Sequence, residues 1–379
     1  MMSAGTAGPV EVLVNARHLA GTHTGIEVYM ARLIEALALT GQVRLMALSW
    51  EPLGLELPGV EERLPARRPT LRPGSIAATL WKLWFDQWRC LGGRPDHSVL
   101  FHGMDGFLPY SLRSADRSVV TVHDLGWHVH PDLYDRRVRL MYEALFPWVR
   151  RRADRFIAVS RYTADDLVRS MGVKASKIEV IYHGLDPAFT APLPARQPAA
   201  PASPYLLAMG GISPARKNTR RLIEAFSRWR SRGGFRTAVE LHLTGVSLER
   251  FFLQNGAPVP PGVSLLGYVD KAELPNLYAG ATAFLYPGIY EGFGLPIIEA
   301  MACGTPVVTS TTGAAPEIAG GGAILVDPFD VDSIIAGIEQ VTVPEEAGRL
   351  RALGHERTRL FNWSSAAAQT VDVYRQVRP

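Results

Sequence analysis

The stretch Ala283-Phe-Leu-Tyr286-Pro-Gly-Ile-Tyr-Glu291-Gly292-Phe293-Gly294-Leu295-Pro296-Ile-Ile-Glu299 joins a short apolar run to the opening of a helix. Ala283–Tyr286 reads as a buried strand. Pro296 suits the first turn of a helix, where its missing N–H is no loss. The glycines between them allow a loop with exposed backbone N–H groups, and a helix N-terminus adds a dipole that favours phosphate. Glu291 lies in the loop and Glu299 one turn inside the helix, so the two carboxylates reach different points along an elongated ligand. Carboxylates accept hydrogen bonds from paired hydroxyls. The bland alternative makes Glu299 a partner of the helix dipole, but two acids framing a Gly-Pro loop serve packing poorly.

Outward from this stretch, short β-branched runs alternate with amphipathic segments. In the N-terminal half, Val10–Val14, Val43–Ala47, Val99–Phe101, Ser118–Val122, Phe156–Val159 and Ile178–Ile181 read as strands. Gly25–Leu39 carries Ile26, Met30, Leu33, Ile34 and Leu37 near a 3.6 period and reads as a helix; another starts near Thr163. Residues 188–204 hold five prolines and read as a linker. The alternation then restarts with strands at Tyr205–Met209, Val239–Thr244, Val263–Leu266, Ala283–Tyr286, Val307–Thr309 and Ala323–Val326. Helices are expected at Thr219–Arg230, from Pro296, at Val331–Glu339 and from about Ser364 to Val377. Such alternation indicates parallel sheets wrapped by helices. The expected division is residues 1–187, the linker 188–204, residues 205–362 and a last helix at 363–379.

A chain of 379 residues fits about two domains. Its 47% hydrophobic and 20% charged residues are ordinary for a globular protein. No uncharged apolar run is long enough to span a bilayer, and the first ten residues do not resemble a secretory signal. Cys90 and Cys303 show no metal spacing and fit a reducing, cytoplasmic setting. The net charge of +4 is compatible with phosphate-bearing ligands or an anionic membrane and is too diffuse to argue for nucleic acid.

In open parallel sheets, ligands sit beyond the carboxyl ends of the strands. After the first strand, Gly25 heads a helix and can approach an anion or serve only as a turn. After the fourth, His123 and Asp124 point polar groups toward the expected cleft: His123 toward a sugar hydroxyl or charge near an anomeric carbon, Asp124 toward orienting it or binding acceptor. A hydrogen-bonded turn is the alternative. After Tyr205–Met209, the loop Gly210-Gly211-Ile-Ser-Pro-Ala-Arg216-Lys217-Asn218 sets two adjacent cations at a strand-to-helix turn. They suit a diphosphate; a solvated basic loop is the alternative, and the spacing is not that of a Walker loop.

In their order along nearly the whole chain, these segments resemble glycosyltransferase family 4, the large retaining family with the GT-B fold. Thr121-Val-His-Asp-Leu125, Ala158-Val-Ser160, Val180-Ile-Tyr-His-Gly184-Leu-Asp186, Arg216-Lys-Asn218, Gly267-Tyr-Val269, Leu277-Tyr-Ala-Gly-Ala281 and the Glu291–Glu299 motif carry the resemblance. It implies two Rossmann-like doubly wound domains facing across a cleft, with the C-terminal helix returning to the N-terminal, acceptor-binding domain. It further implies that Glu291 binds donor-sugar hydroxyls and Glu299 the ribose. Lys217, with Arg216, binds the diphosphate, His123 the transferred sugar, and Gly25 completes the phosphate site. Backbone N–H groups of Gly292, Phe293, Gly294 and Leu295 add to it, and Tyr268 and Val269 meet the nucleobase. Two departures stand out. Gly211 occupies a place where many members carry arginine, and Glu27 follows Gly25-Ile where relatives often have glycine.

The resemblance implies transfer of a hexose from a nucleoside-diphosphate sugar with retention, without a cofactor and without a metal. Retention usually calls for two carboxylates and a covalent intermediate, and no carboxylate is evident on the nucleophile side. The implied route is same-face attack, with the departing phosphate oxygen taking the acceptor proton. GDP-mannose is the first donor expectation and UDP-glucose the alternative; the acceptor is a glycan or lipid-linked saccharide in polysaccharide synthesis. Trp81, Trp84, Phe85 and Trp88 form a helical stripe that reads as core, as acceptor-pocket wall or as an interfacial segment. Arg136, Arg137, Arg139 and Arg150–Arg152 form either a solvated face or a peripheral contact with anionic lipid at the inner membrane face. Rival functions are a nucleotide-sugar epimerase that hydrolyses its substrate and a non-catalytic nucleotide-sugar-binding subunit.

Overall fold

β1 (Val10–Asn15) is buried at nearly every position, on both faces, and pairs in parallel with two neighbours. That pattern marks a strand inside a sheet covered by helices on each side. The computed structural model describes residues 8–19, 25–49, 52–53, 56–64, 97–190, 203–210, 215–245, 252 and 258–378. Within these, β1, β2 (Val43–Leu48), β3 (Val60–Arg63), β4 (Leu100–Gly103), β5 (Arg117–Val122), β6 (Arg155–Ala158) and β7 (Ile178–Val180) form one sheet in the order β3-β2-β1-β4-β5-β6-β7. All its pairings are parallel. A second parallel sheet takes β8 (Tyr205–Met209), β9 (Glu240–Thr244), β10 (Val263–Gly267), β11 (Ala283–Tyr286), β12 (Val307–Ser310) and β13 (Ala323–Val326) in the order β10-β9-β8-β11-β12-β13. In each sheet the strand order reverses once, between β1 and β4 and between β8 and β11. These are the doubly wound switch points.

The chain divides into two units. One comprises Met1–His128, Arg136–Gly184 and Asn362–Pro379; the other comprises Val129–Asp135 and Leu185–Phe361. In the first, the helix Gly25–Leu39 buries Tyr29, Met30, Leu33, Ile34 and Leu37 against β1 and β2. The helix Trp363–Gln376, at the end of the chain, belongs to this same core through Trp363, Ala366, Ala367, Val371 and Tyr374. Each fully buried large side chain contributes about 1.5–3 kcal/mol. The Asn362 side chain caps that helix by accepting from the Ser364 and Ser365 amides. Gly184 makes room for it: a Cβ there would lie 2.3 Å from the Trp363 nitrogen.

In the second unit, Leu222, Ile223, Phe226 and Trp229 from the helix Thr219–Ser231 join Ile334, Ile335 and Ile338 from the helix Val331–Val341 over one face of the sheet. This unit begins before the proline-rich stretch. The Leu185 amide donates to Phe361 O at 3.1 Å, and Asp186 caps the turn Pro187–Phe189. Phe189 is buried, edge-on to Tyr278. Residues 185–187, grouped by the sequence with the first half, therefore cluster with the second. Residues 191–202 of the linker, Gly211, Cys90 and the aromatic stripe Ile76–Cys90 lie outside the described residues.

Candidate functional site

The carboxyl ends of β8 and β11 bring together residues that are far apart in sequence. β8 leads to Arg216 and Lys217 just before the helix Thr219–Ser231, and β11 leads through Tyr286 to Glu291. Asn218 joins the two loops. It holds a left-handed backbone (φ 60°, ψ 30°) and donates from Nδ2 to the carbonyls of Pro287 and Pro328. The Ile289 amide donates to Arg216 O at 2.9 Å, which adds a main-chain tie.

Between these loops, Lys217 Nζ donates to Glu291 Oε1 at 2.7 Å and to the Tyr286 hydroxyl. Arg216 Nη1 lies 3.9 Å from Glu291 Oε2. The Glu291 and Lys217 side chains are only 9% and 11% exposed, so little water screens the pair. Burial alone pushes the Glu291 carboxyl up. Lys217 and Arg216, with hydrogen bonds from Lys217 and Tyr286, outweigh it and hold the group below its ordinary range. Tyr286 moves the other way: burial and the Glu291 charge keep its phenol neutral, able to donate to the carboxylate and accept from Lys217.

Glu299 sits differently. It lies in the helix Leu295–Ala302, which starts after Gly294 in a left-handed conformation (φ 98°, ψ 56°) with Pro296 in its first turn. The Tyr278 hydroxyl donates to Glu299 Oε2 at 3.2 Å. Burial raises the Glu299 pKa to about 7; Tyr278 and Lys271 only partly oppose it, and Asp186 adds to it. The two carboxylates of the motif thus differ in state: Glu291 is ionised in a cluster of cations, and Glu299 is poised near neutrality. Phe293 is buried edge-on to Phe361, so its ring serves packing. Tyr268 follows β10 with 54% of its surface exposed, and Val269 is half-buried beside it.

The remaining expected residues belong to the first unit. Gly25 opens its helix and is exposed. His123 and Asp124 follow β5, half-buried. His123 Nε2 donates to Met104 O at 2.8 Å, and its ring meets Tyr29 edge-on at 4.7 Å. Burial pushes its pKa down, against the Met104 bond and the Asp124 and Asp105 charges, so the imidazole is neutral. The Asp124 carboxylate accepts from the Gly126 amide at 3.0 Å, which gives it a turn-capping task at the helix Gly126–Val129. Tyr286 and Tyr278, which tune the two glutamates, were not among the expected site residues. A tyrosine hydroxyl closing an otherwise wholly apolar strand was the available signal for Tyr286.

Of the arginine run, Arg152 donates to the Arg113 and Asp116 carbonyls and Arg150 to Met171 O, so part of it holds local structure. Among the described residues, no helix is long and apolar enough to cross a membrane.

Comparison with known proteins adds the following. Residues 23–189 match the model for Glycosyltransferase Family 4, and residues 203–342 match that for Glycosyl transferases group 1. The O-antigen chain mannosyltransferase B of Escherichia coli is 29% identical over 93% of this chain and 96% of its own length. An MMP alpha-(1->4)-mannosyltransferase of Mycolicibacterium hassiacum is 32% identical over 60% of this chain and 55% of its own length. Among solved structures, sucrose-phosphate synthase from Thermosynechococcus elongatus superimposes with a TM-score of 0.74 over 98% of this chain and 99% of that one, at 22% identity. That likeness identifies the fold as GT-B.

Proposed function

The chain belongs to the glycosyltransferases, its N-terminal half to family 4 and its C-terminal half to group 1, and on that premise we propose that this hexosyltransferase moves mannose from GDP-mannose to a saccharide hydroxyl with retention of configuration. The observation that carries the proposal is the cluster of half-buried Arg216 and Lys217 around the buried Glu291 at the β8/β11 switch point. Two cations stand where a diphosphate would be held, and an ionised carboxylate stands beside them to accept sugar hydroxyls. In the reaction the C1–phosphate oxygen bond breaks and a bond from the acceptor oxygen to C1 forms on the same face. The acceptor proton passes to the departing phosphate oxygen. Lys217, Arg216 and the N-terminus of the helix Leu295–Ala302 stabilise the charge left on the diphosphate. These groups supply the positive charge the leaving group needs, so activity is expected to survive EDTA.

Mannose is favoured by the two mannosyltransferase relatives, and a growing polysaccharide as acceptor by the O-antigen relative. A peripheral hold on anionic lipid is favoured by the exposed Arg136, Arg137, Val138, Leu140 and Arg151 of one helix; vesicle flotation with and without anionic lipid tests it.

The donor is tested by thermal shift with GDP-mannose, UDP-glucose, ADP-glucose and a dTDP-sugar. GDP-mannose should stabilise the protein most. A larger shift with UDP-glucose replaces mannose with glucose, and no shift with any of the four contradicts the proposal. Release of free sugar alone, whatever acceptor is supplied, contradicts transfer and favours a hydrolysing epimerase.

A further inference from the structure

The first sheet has a switch point too, between β1 and β4, and the proposed donor chemistry uses none of its charged residues. β1 runs on through Asn15 and Ala16 into the turn Arg17–Leu19, and β4 runs on into Met104 and Asp105. Asp105 is almost wholly buried, with 2% of its side chain exposed. Its Oδ2 accepts from Arg17 Nη2 at 3.0 Å and lies 3.4 Å from His18 Nε2, and its Oδ1 accepts from the Phe107 amide. Burial would raise this carboxyl, but Arg17 and His18 prevail and bring its pKa down to about 2. The neighbouring Met104 carbonyl is the one that His123 bonds. A single dipeptide, Met104-Asp105, therefore aims three side chains: Arg17, His18 and His123.

Arg17 and His18 keep 15% and 23% of their side chains exposed, whereas their anchor does not. An aromatic wall adjoins them. Phe107 stacks on Tyr142 at 4.9 Å, and Tyr142 stacks on Trp127 at 5.3 Å. Burial, helped by the Asp124 and Asp105 charges and only partly opposed by Arg17, keeps the Tyr142 phenol neutral. The donors of an arginine and a histidine, held on a scaffold of stacked rings, suit the hydroxyls at the rim of a pyranose ring.

The charge balance narrows the class further. The Asp105 carboxylate faces both Arg17 and His18, burial keeps His123 neutral, and Asp124 adds a second carboxylate. At the other switch point the balance runs the other way, with two cations against one carboxylate. We infer that the Arg17–His18 pair, held by Asp105, is a specificity site that binds an uncharged saccharide acceptor by its hydroxyls and disfavours one carrying a phosphate. This rests on the proposed transferase function. Asp105 acts as a positioning residue; Arg17 and His18 touch the acceptor.

The test uses the full chain saturated with GDP, titrated by NMR with octyl α-mannoside as the neutral probe and myo-inositol 3-phosphate as the anionic one. The wild type should bind the neutral probe at least tenfold more tightly. His18→Ala and Arg17→Lys, both at partly exposed positions, should weaken the neutral probe at least fivefold while GDP affinity stays within twofold. Asp105→Asn, if it folds, should shift the preference at least tenfold toward the anionic probe, because Arg17 loses its counter-charge. A purely structural pair would weaken both probes and GDP together, and that result overturns the inference, as does a wild type that prefers the anionic probe. A wild type that binds GDP but neither sugar overturns it and leaves the donor site standing. One that binds no nucleotide and no nucleotide sugar overturns both.

Discussion

At the switch point of the second sheet, Arg216, Lys217 and Glu291 crowd together with two cations against one anion. At the switch point of the first, Arg17 and His18 both face the single buried carboxylate of Asp105, and the nearby imidazole of His123 is held neutral. The topology of the two places is the same, since each lies where the strand order of a parallel sheet reverses. What differs is the sign and balance of charge set on that common frame. A surplus of half-buried positive charge suits a diphosphate, and a balanced polar cluster beside stacked rings suits a sugar. The fold supplies two topologically equivalent switch points, and in the proposed reading a few side chains divide donor and acceptor between them.

The strongest way to break this contrast is Lys217→Ala. It removes a nearly buried cation from Glu291 and from the expected diphosphate, and turnover should drop about 10²–10³-fold. GDP affinity should weaken as well, and near-normal steady-state kinetics would contradict the charge argument. His123→Ala acts on the other crevice. It should cost turnover roughly 10- to 100-fold, the scale of one lost hydrogen-bonding partner in an enclosed site. GDP affinity measured by calorimetry should be unchanged, and a parallel loss of nucleotide binding would erase the distinction between the crevices.

Glu299 sharpens the contrast within the donor side through pH. Its pKa of about 7 means that it is protonated below neutrality in the free protein. Ribose hydroxyls donate best to the ionised form, so donor KM should fall as pH rises through about 7 and level off above it. Nucleotide binding should release a proton. Glu299→Gln should flatten that profile, and a pH-independent donor KM in the unmodified protein would refute the role. The smallest effect expected is on stability alone. Tyr374 in the last helix hydrogen-bonds His102 Nδ1 at 2.6 Å, and His102 Nε2 reaches Thr121, whose hydroxyl also meets Tyr29. Burial holds His102 neutral, with its pKa near 3. Tyr374→Phe leaves that nitrogen without its partner, for a loss of about 1–3 kcal/mol in urea unfolding.

Most strands were legible because parallel strands buried on both faces are unbroken apolar runs; Tyr205–Met209, Ala283–Tyr286 and Ala323–Val326 coincide with β8, β11 and β13. β3 was not, because its Val-Glu-Glu-Arg sequence pairs on only one side, at the sheet edge, and carries one apolar residue. The helix Arg136–Arg152 was hidden behind its arginines, which read as charge patches, and it contains Pro147. In the candidate site, Lys217 and Glu291 were each legible from local loop chemistry. Their contact, across 74 residues of chain, was not, because it depends on which strands become neighbours. Arg17, His18 and Asp105 were missed although they follow apolar strands in the same way as His123. Arg17 and His18 sit within the short turn Arg17–Leu19, and Asp105 stands alone between Gly103-Met104 and Gly106, so neither forms a motif.

The most direct measurement on the central claim is the kinetics of Glu291→Gln with GDP-mannose, set beside its GDP affinity. This change keeps the size of the side chain and removes the charge that faces Lys217 and Arg216. If Glu291 serves the donor sugar next to a separate diphosphate site, kcat falls by at least about 10²-fold and the GDP dissociation constant stays within threefold or tightens. Near-normal turnover in this variant, or a loss of GDP binding as large as the loss of rate, would contradict it.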